Sequence, residues 1–198
     1  TMIPLTAHKY EHIAHHRYAN EAARDPDFHA GKMGDSPLAP VRAVLQAWVS
    51  QFSFYARHRW SRAPAREKMQ LGLEVTLALG PRFAVIAAGY WVEGLVLFVL
   101  AWILGATILL YFFAYIVHRP HDQVGRYTDS SIILMPRSVR RPLDWLWLYQ
   151  NYHSIHHLFP RVPFFRYPDV YREIRHVLEA KGTPVYRVFR TSTIDSRC

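Results

Sequence analysis

Residues Leu95 to Val117 form a run of 23 residues without one charged side chain, and that run limits what the chain can fold into more than any other feature. At 1.5 Å per residue it is long enough to cross about 30 Å of hydrocarbon as a single helix, whereas a buried helix of a small soluble domain keeps a polar stripe. The competing reading, a soluble helical hairpin, fails on cover, because nothing else in the sequence is apolar enough to surround Phe98, Trp102, Leu109 and Phe113 on every side. Leu71 to Val92 is nearly as apolar but carries Glu74, Pro81 and Arg82, and a turn at Trp91-Val92-Glu93-Gly94 would join the two segments. The expected fold class is therefore all-α: one domain over residues 1–198, with an integral-membrane helical hairpin at about 71–92 and 95–117 and a cytoplasmic helical cap.

Charge orients this hairpin. Arg57, Arg59, Arg62, Arg66 and Lys68 precede it, Arg119, Arg126, Arg137, Arg140 and Arg141 follow it, and its tip has no Lys or Arg. The positive-inside rule then puts both ends in the cytoplasm. With 24 Lys and Arg against 15 Asp and Glu, the formal charge is +9, and much of it reads as topology and as affinity for anionic head groups. No RNA-binding signature accompanies the charge, so nucleic acid is not expected as a partner. A hydrophobic content of 51% excludes a disordered tail, and one cysteine, Cys198, excludes an internal disulfide and a cysteine-built zinc site. No signal peptide is visible, and Met2 follows Thr1, so the true start is expected upstream.

The remaining chain reads as a histidine-rich helix at 6–24, a loop at 25–40, an amphipathic helix carrying Val41, Val44, Leu45, Trp48, Val49, Phe52 and Tyr55, a loop with short helices at 118–142, a second histidine-rich helix at 143–158, and a Pro- and Arg-rich tail with one helix near 168–181. The amphipathic helix is too short to span, and either packs on the protein's own core or lies in the membrane interface.

Nine of 12 histidines fall in three clusters: His8, His12, His15 and His16; His118 and His121; His153, His156 and His157. His29, His58 and His176 are scattered and read as ordinary polar residues. The unit His-x-x-His-His occurs twice, as His12-Ile13-Ala14-His15-His16 and as His153-Ser154-Ile155-His156-His157. On a helix, positions i, i+3 and i+4 share a face, so each unit offers up to three imidazoles to one place. A two-span hairpin returns the chain to the side it left, so the two units are expected to meet at the cytoplasmic surface. His118 is placed where the second span emerges, in position to hang over the site. His121 either ligates or caps a turn around Pro120, and His8 is either a ligand or a partner behind one. Imidazole suits iron, copper, nickel or zinc, while calcium and magnesium prefer oxygen. Six or more imidazoles exceed the needs of one tetrahedral zinc, so two metals are the economical interpretation, and iron follows if the task is to activate O2. Adjacent spans would let an apolar substrate approach from the bilayer, which points to oxidation of an unactivated C–H bond in a lipid.

These residues resemble the membrane fatty acid desaturase superfamily. The stretch Gln150-Asn151-Tyr152-His153-Ser154-Ile155-His156-His157-Leu158-Phe159-Pro160, running on to Tyr167-Pro168, is similar to that family's third histidine box, and His12 to His16 with Arg17-Tyr18-Ala19-Asn20 is similar to its second. Asp25-Pro26-Asp27-Phe28-His29 and the His118-Arg119-Pro120-His121 loop resemble the β-carotene hydroxylase and ketolase branch. The resemblance implies a helical membrane fold, a non-haem centre of two irons, use of O2, and electrons from an external ferredoxin-, rubredoxin- or cytochrome-type donor. The ligands it implies are His12, His15, His16, His118, His153, His156 and His157, with His8 and His121 as further candidates. The family's first box, His-x-x-x-His, should precede the second on an earlier span. His8 to His12 has that internal spacing but overlaps the second box, so the chain is expected to lack an N-terminal hairpin and the first box.

Acyl chains and carotenoids both suit an apolar tunnel, and desaturation, hydroxylation, ketolation and oxidative decarboxylation share one oxidant. Arg161 and Arg166 are candidate anchors for an acidic head, or lipid-facing charges. A non-catalytic membrane subunit or pigment-binding component that keeps the scaffold is a rival reading. A zinc hydrolase is a weaker one, because neither box has the His-Glu-x-x-His order.

Overall fold

Two carboxylates near the first apolar segment explain much of the first half of the chain. The computed structural model describes residues 2–188; Cys198 lies outside the described residues. These divide into two units, one running to Tyr18 and over Ala22–Tyr111, the other comprising Ala19–Glu21 and the chain from Phe112 onward.

In the first unit, helix α1 (Leu5–Tyr18) buries Ala7, Glu11 and His15, spaced by four, and packs on α2 (Ala39–His58). Helix α3 (Ala65–Ala87) reaches both through its acids. Glu74 accepts hydrogen bonds from Thr6 N (2.9 Å) and Thr6 Oγ1 (2.9 Å), serving a backbone donor at the start of α1 that the helix leaves unpaired. Glu67 accepts from Tyr10 Oη at 3.0 Å, Tyr55 Oη at 2.7 Å, and Arg59 through Nε and Nη2 at 2.9 and 2.7 Å. The acid that weakened the first span is thus a fastening between helices. The first apolar helix begins at Ala65 and ends at Ala87, where the sequence suggested 71–92, and the turn falls at Ala88–Tyr90, where Gly89 has φ +93°, a conformation that favours glycine. Arg82 lies over the Phe98 ring at 5.2 Å and donates to the Ala78 carbonyl, which gives this cation partners within the apolar segment.

The long apolar run is helix α4 (Trp91–His118), of 28 residues, and α3 and α4 are the two helices long and apolar enough to cross a membrane. Leu97, Leu100, Leu104 and Ile108 are exposed along α4, as expected of a surface that no protein covers. The last turns of α4 change pitch, wide over Tyr111–Tyr115 and tight over Ile116–His118, so His118 is set by an irregular helix end and not by a regular face.

Helix α2 corrects the sequence reading of its buried face. Val44 and Tyr55 are buried as the apolar pattern suggests, but the rest of the buried face is the stripe Ala39, Ala43, Ala47 and Gln51, while Leu45 and Val49 are exposed. Small residues let neighbouring backbones approach, so close packing outweighs the larger apolar side chains in choosing the face. The expected loop at 25–40 contains a short tight helix at Phe28–Lys32.

The second unit is built around α7 (Tyr167–Ala180) and a cluster of Ile132, Tyr152, Ile155, Leu158, Tyr171 and Leu178. It departs from all-α: β1 (Ile132–Leu134) and β2 (Val185–Arg187) pair in parallel, Ile132 opposite Val185. The expected helix at 143–158 is two helices, α5 (Arg140–Leu146) and α6 (His153–Leu158), separated by left-handed Leu148 and Tyr149 (φ +50° and +57°) and a tight turn at Gln150–Tyr152. Buried Asp144 causes this break by accepting from Asn151 Nδ2 (2.9 Å) and Tyr152 Oη (3.3 Å) while Asn151 Nδ2 also donates to the Ile133 carbonyl (2.9 Å). A continuous helix could not bring these groups together. Likewise α1 stops at Tyr18 and not at 24, because Asn20 takes a left-handed conformation (φ +65°) and binds the carbonyls of Gln123 (2.9 Å) and Asp129 (2.8 Å).

Candidate metal centre

In the second unit the histidines come from three places. His118 ends α4, His153 starts α6, and His157 lies one turn further on, which puts His153 and His157 on one face. One ring nitrogen of each of the three lies within 4.8 Å of the others. Ser131 holds the segments in register: its N–H (2.7 Å) and Oγ (3.0 Å) both donate to the Val117 carbonyl, and its own carbonyl accepts from Ser154 N at 3.2 Å. One buried serine therefore ties the residue before His118 to the residue after His153.

The hydrogen bonds behind the rings fix which nitrogen carries the proton. His118 Nδ1 is 2.9 Å from the Asp129 carbonyl, and a carbonyl only accepts, so Nδ1 donates and turns Nε2 toward the other histidines. His153 Nδ1 is 3.0 Å from Gln150 Oε1, with the same result. The two Nε2 atoms then face each other at 3.0 Å. In neutral rings of this tautomer the two lone pairs point at each other, an arrangement that a cation between them favours. His157 Nδ1 lies 3.7 Å from Asp129 Oδ1, whose oxygen also accepts from Ser130 Oγ at 2.9 Å. His156 Nδ1 is 3.0 Å from Tyr167 Oη, a phenol whose pKa is raised by burial.

In the first unit, α1 carries its set on one regular helix. His12 and His16 Nε2 face each other at 3.1 Å. His15 Nδ1 donates to Asp25 Oδ1 at 2.9 Å, and that oxygen also accepts from Asp27 N at 2.9 Å. His15 is therefore oriented from behind by a carboxylate. Burial, with His16, His15 and His8 alongside, pushes the His12 pKa down to about 3, so its ring is neutral, as a ligand must be. Glu11, immediately before the box, is fully buried, and burial followed by the nearby Asp27 raises its carboxyl well above the usual range.

His8 and His121 stand outside these nitrogen sets. His8 stacks on His12 with its Nδ1 3.0 Å from Gln51 Nε2, while His121 is left-handed (φ +73°) and stacks on Tyr115 at 4.8 Å. The residues behind the histidines, Asp25, Asp129, Ser131 and Gln150, are the ones sequence reasoning missed. Asp25 and Gln150 sit inside the quoted motif stretches and could have been singled out there, whereas Asp129 and Ser131 carry no local signal.

A donor set of neutral imidazoles backed by carbonyl and carboxylate acceptors fits a first-row transition ion. The fatty acid desaturase family matches residues 1–189 of this chain. The chain belongs to the fatty acid desaturase family. It is 31% identical over 162 residues to a β-carotene ketolase of Paracoccus sp., an alignment covering 80% of this chain and 55% of the relative. The chain thus spans about half the length of the curated relative it matches. No solved structure matches it.

Proposed function

We propose that His12, His15, His16, His118, His153, His156 and His157 hold two irons, and that the chain oxidises an unactivated C–H bond in a long apolar substrate at the expense of O2. The observation that carries this reading is the 3.0 Å approach of the His118 and His153 Nε2 atoms, each ring oriented from behind by an acceptor. Bound there, iron would supply the reduction of O2 that such an oxidation needs, with two electrons and two protons taken up, one oxygen left on carbon and the other released as water. The chain's own part is to aim these imidazoles, through Asp25, Asp129 and Gln150, and to hold His12 neutral by burial. The ketolase relative favours a carotenoid, while the family as a whole also accommodates an acyl chain.

The lipid-exposed length of α4 supports entry of such a substrate from a bilayer, with α3 and α4 as spans and their arginine-rich ends on the cytoplasmic side. The electron donor is a ferredoxin-, rubredoxin- or cytochrome-type protein, and an acidic one would dock faster at low salt. The seven histidines are the part of the ligand set that this sequence carries; the family's separate first box is not among them.

The test is expression in cells that accumulate β-carotene, with carotenoids and fatty acids both extracted, and metal analysis of the detergent-purified chain. New oxygenated carotenoids with unchanged fatty acids, and about two irons per chain, are expected. Unchanged carotenoids with altered fatty acids would move the substrate to acyl chains. A folded protein without iron would overturn the metal assignment.

A further inference from the structure

Five arginines of the second unit converge on a cleft of about 430 Å³: Arg137 after β1, Arg140 on α5, Arg172 and Arg175 on α7, and Arg187 on β2, with Tyr171 among them. They come from four separate segments, so no single amphipathic face accounts for the clustering, and gathering like charges costs folding energy. Three have carboxylate partners. Arg140 Nε is 3.8 Å from Asp144 Oδ2, Arg175 Nε is 2.6 Å from Glu179 Oε1, and Arg172 pairs with Asp169, which Arg166 also holds at 3.1 Å. Arg137 and Arg187 have neither an ion pair nor a hydrogen bond among the described residues.

We propose that this cleft binds a phosphate-bearing ligand. Two uncompensated guanidiniums match the two negative charges of a phosphate monoester, and the planar guanidinium fork pairs with phosphate oxygens through two parallel hydrogen bonds. The volume is in the range of small-molecule sites, about 300–1,000 Å³. A concave site of this size takes a compact anion, whereas an acidic protein surface would be met by a broad, flatter field. Leu134, Met135 and Val188 supply an apolar wall beside the charges, suited to the carbon part of a phosphate ester. Nothing in the oxidation proposed above requires phosphate, so the cleft is a separate binding site. The phosphate can come from solution or from a lipid head group.

The experiment uses the full chain in phosphatidylcholine nanodiscs. Inorganic phosphate is titrated in one arm, and in the other the same protein is reconstituted with a minority of phosphatidic acid and its thermal stabilisation is measured. The double variant Arg137→Gln/Arg187→Gln is compared with the charge-matched control Arg57→Gln/Arg62→Gln, two exposed arginines of the first unit. The cleft variant should weaken the response at least about tenfold and the control less than about twofold. Arg137→Lys/Arg187→Lys, which keeps the charge, should lie between. On the wild-type chain, phosphate should protect Arg137 and Arg187, but not Arg57 and Arg62, from phenylglyoxal. A response to free phosphate identifies a soluble ligand, and a response to phosphatidic acid alone identifies a lipid. No response in either arm, or equal loss in the control, overturns the proposal.

Discussion

The two histidine boxes have the same spacing and opposite construction. His12, His15 and His16 sit on α1, a regular helix of 14 residues whose periodicity alone aligns them. His153, His156 and His157 occupy a six-residue helix, and their companion His118 comes from an irregular helix end 35 residues earlier. An isolated helix of six residues is unstable, so the second box depends on tertiary contacts more heavily than the first, whose longer helix aligns its own histidines. Identical motifs can thus differ in where their rigidity comes from, and that difference is testable.

The largest effect should come from His118→Ala, which removes the donor that no helix periodicity supplies. Iron content of the purified chain should fall and oxygenated product should drop by more than the 10–100-fold typical of outer partners; retention of full iron would break the comparison by removing His118 from the set. Next, Asp25→Asn and Asp129→Asn test the groups behind each box. The first substitution removes the acceptor charge behind His15, while residue 129 still offers its backbone carbonyl to His118 after the second. Competitive chelation should therefore show about 10–100-fold weaker iron binding for Asp25→Asn and a smaller loss for Asp129→Asn. Equal losses would mean that the side chain of Asp129, through His157, matters as much as its backbone.

A smaller effect is expected on stability. Asp144→Ala leaves Asn151 and Tyr152 without their buried acceptor, at about 1–3 kcal/mol, and should lower the melting temperature of the second unit by several degrees. Burial raises the Asp144 pKa above 3.8, against opposing hydrogen bonds from Asn151 and Tyr152. A carboxyl raised in the folded state favours folding while protonated, so wild-type stability relative to Asp144→Asn should rise as pH falls through the folded pKa, and flatten below the unfolded value. A pH-independent difference in thermal melts would contradict this burial. Smallest is Ser131→Ala, which removes one hydroxyl bond to a carbonyl that the Ser131 N–H also serves, about 0.5–1.5 kcal/mol by denaturant titration.

What was legible in the sequence follows the same division. Periodicity and charge revealed the two apolar helices, α1, α2 and α7, and the histidine spacing was readable wherever a regular helix carried it. The ends and breaks were not. Asn20 is a recognised residue for left-handed helix ends, yet polar residues beyond it continued a plausible helix. The break at Leu148 and Tyr149 has neither glycine nor proline, since it is imposed by the buried acceptor Asp144. The strands escaped notice because three residues are too few for an alternation, and each finds its partner some fifty positions away. Asp129 and Ser131 became visible only as neighbours of the histidines in space.

The Asp129 carbonyl accepts from two donors, His118 Nδ1 at 2.9 Å and Asn20 Nδ2 at 2.8 Å. Two donors on one oxygen compete for its electron density, so a firmer grip by the amide leaves a weaker pull on the imidazole proton. The orientation and basicity of His118 are thereby coupled to the conformation of residue 20. A turn that ends a helix doubles as a fine adjustment of how strongly one imidazole donates.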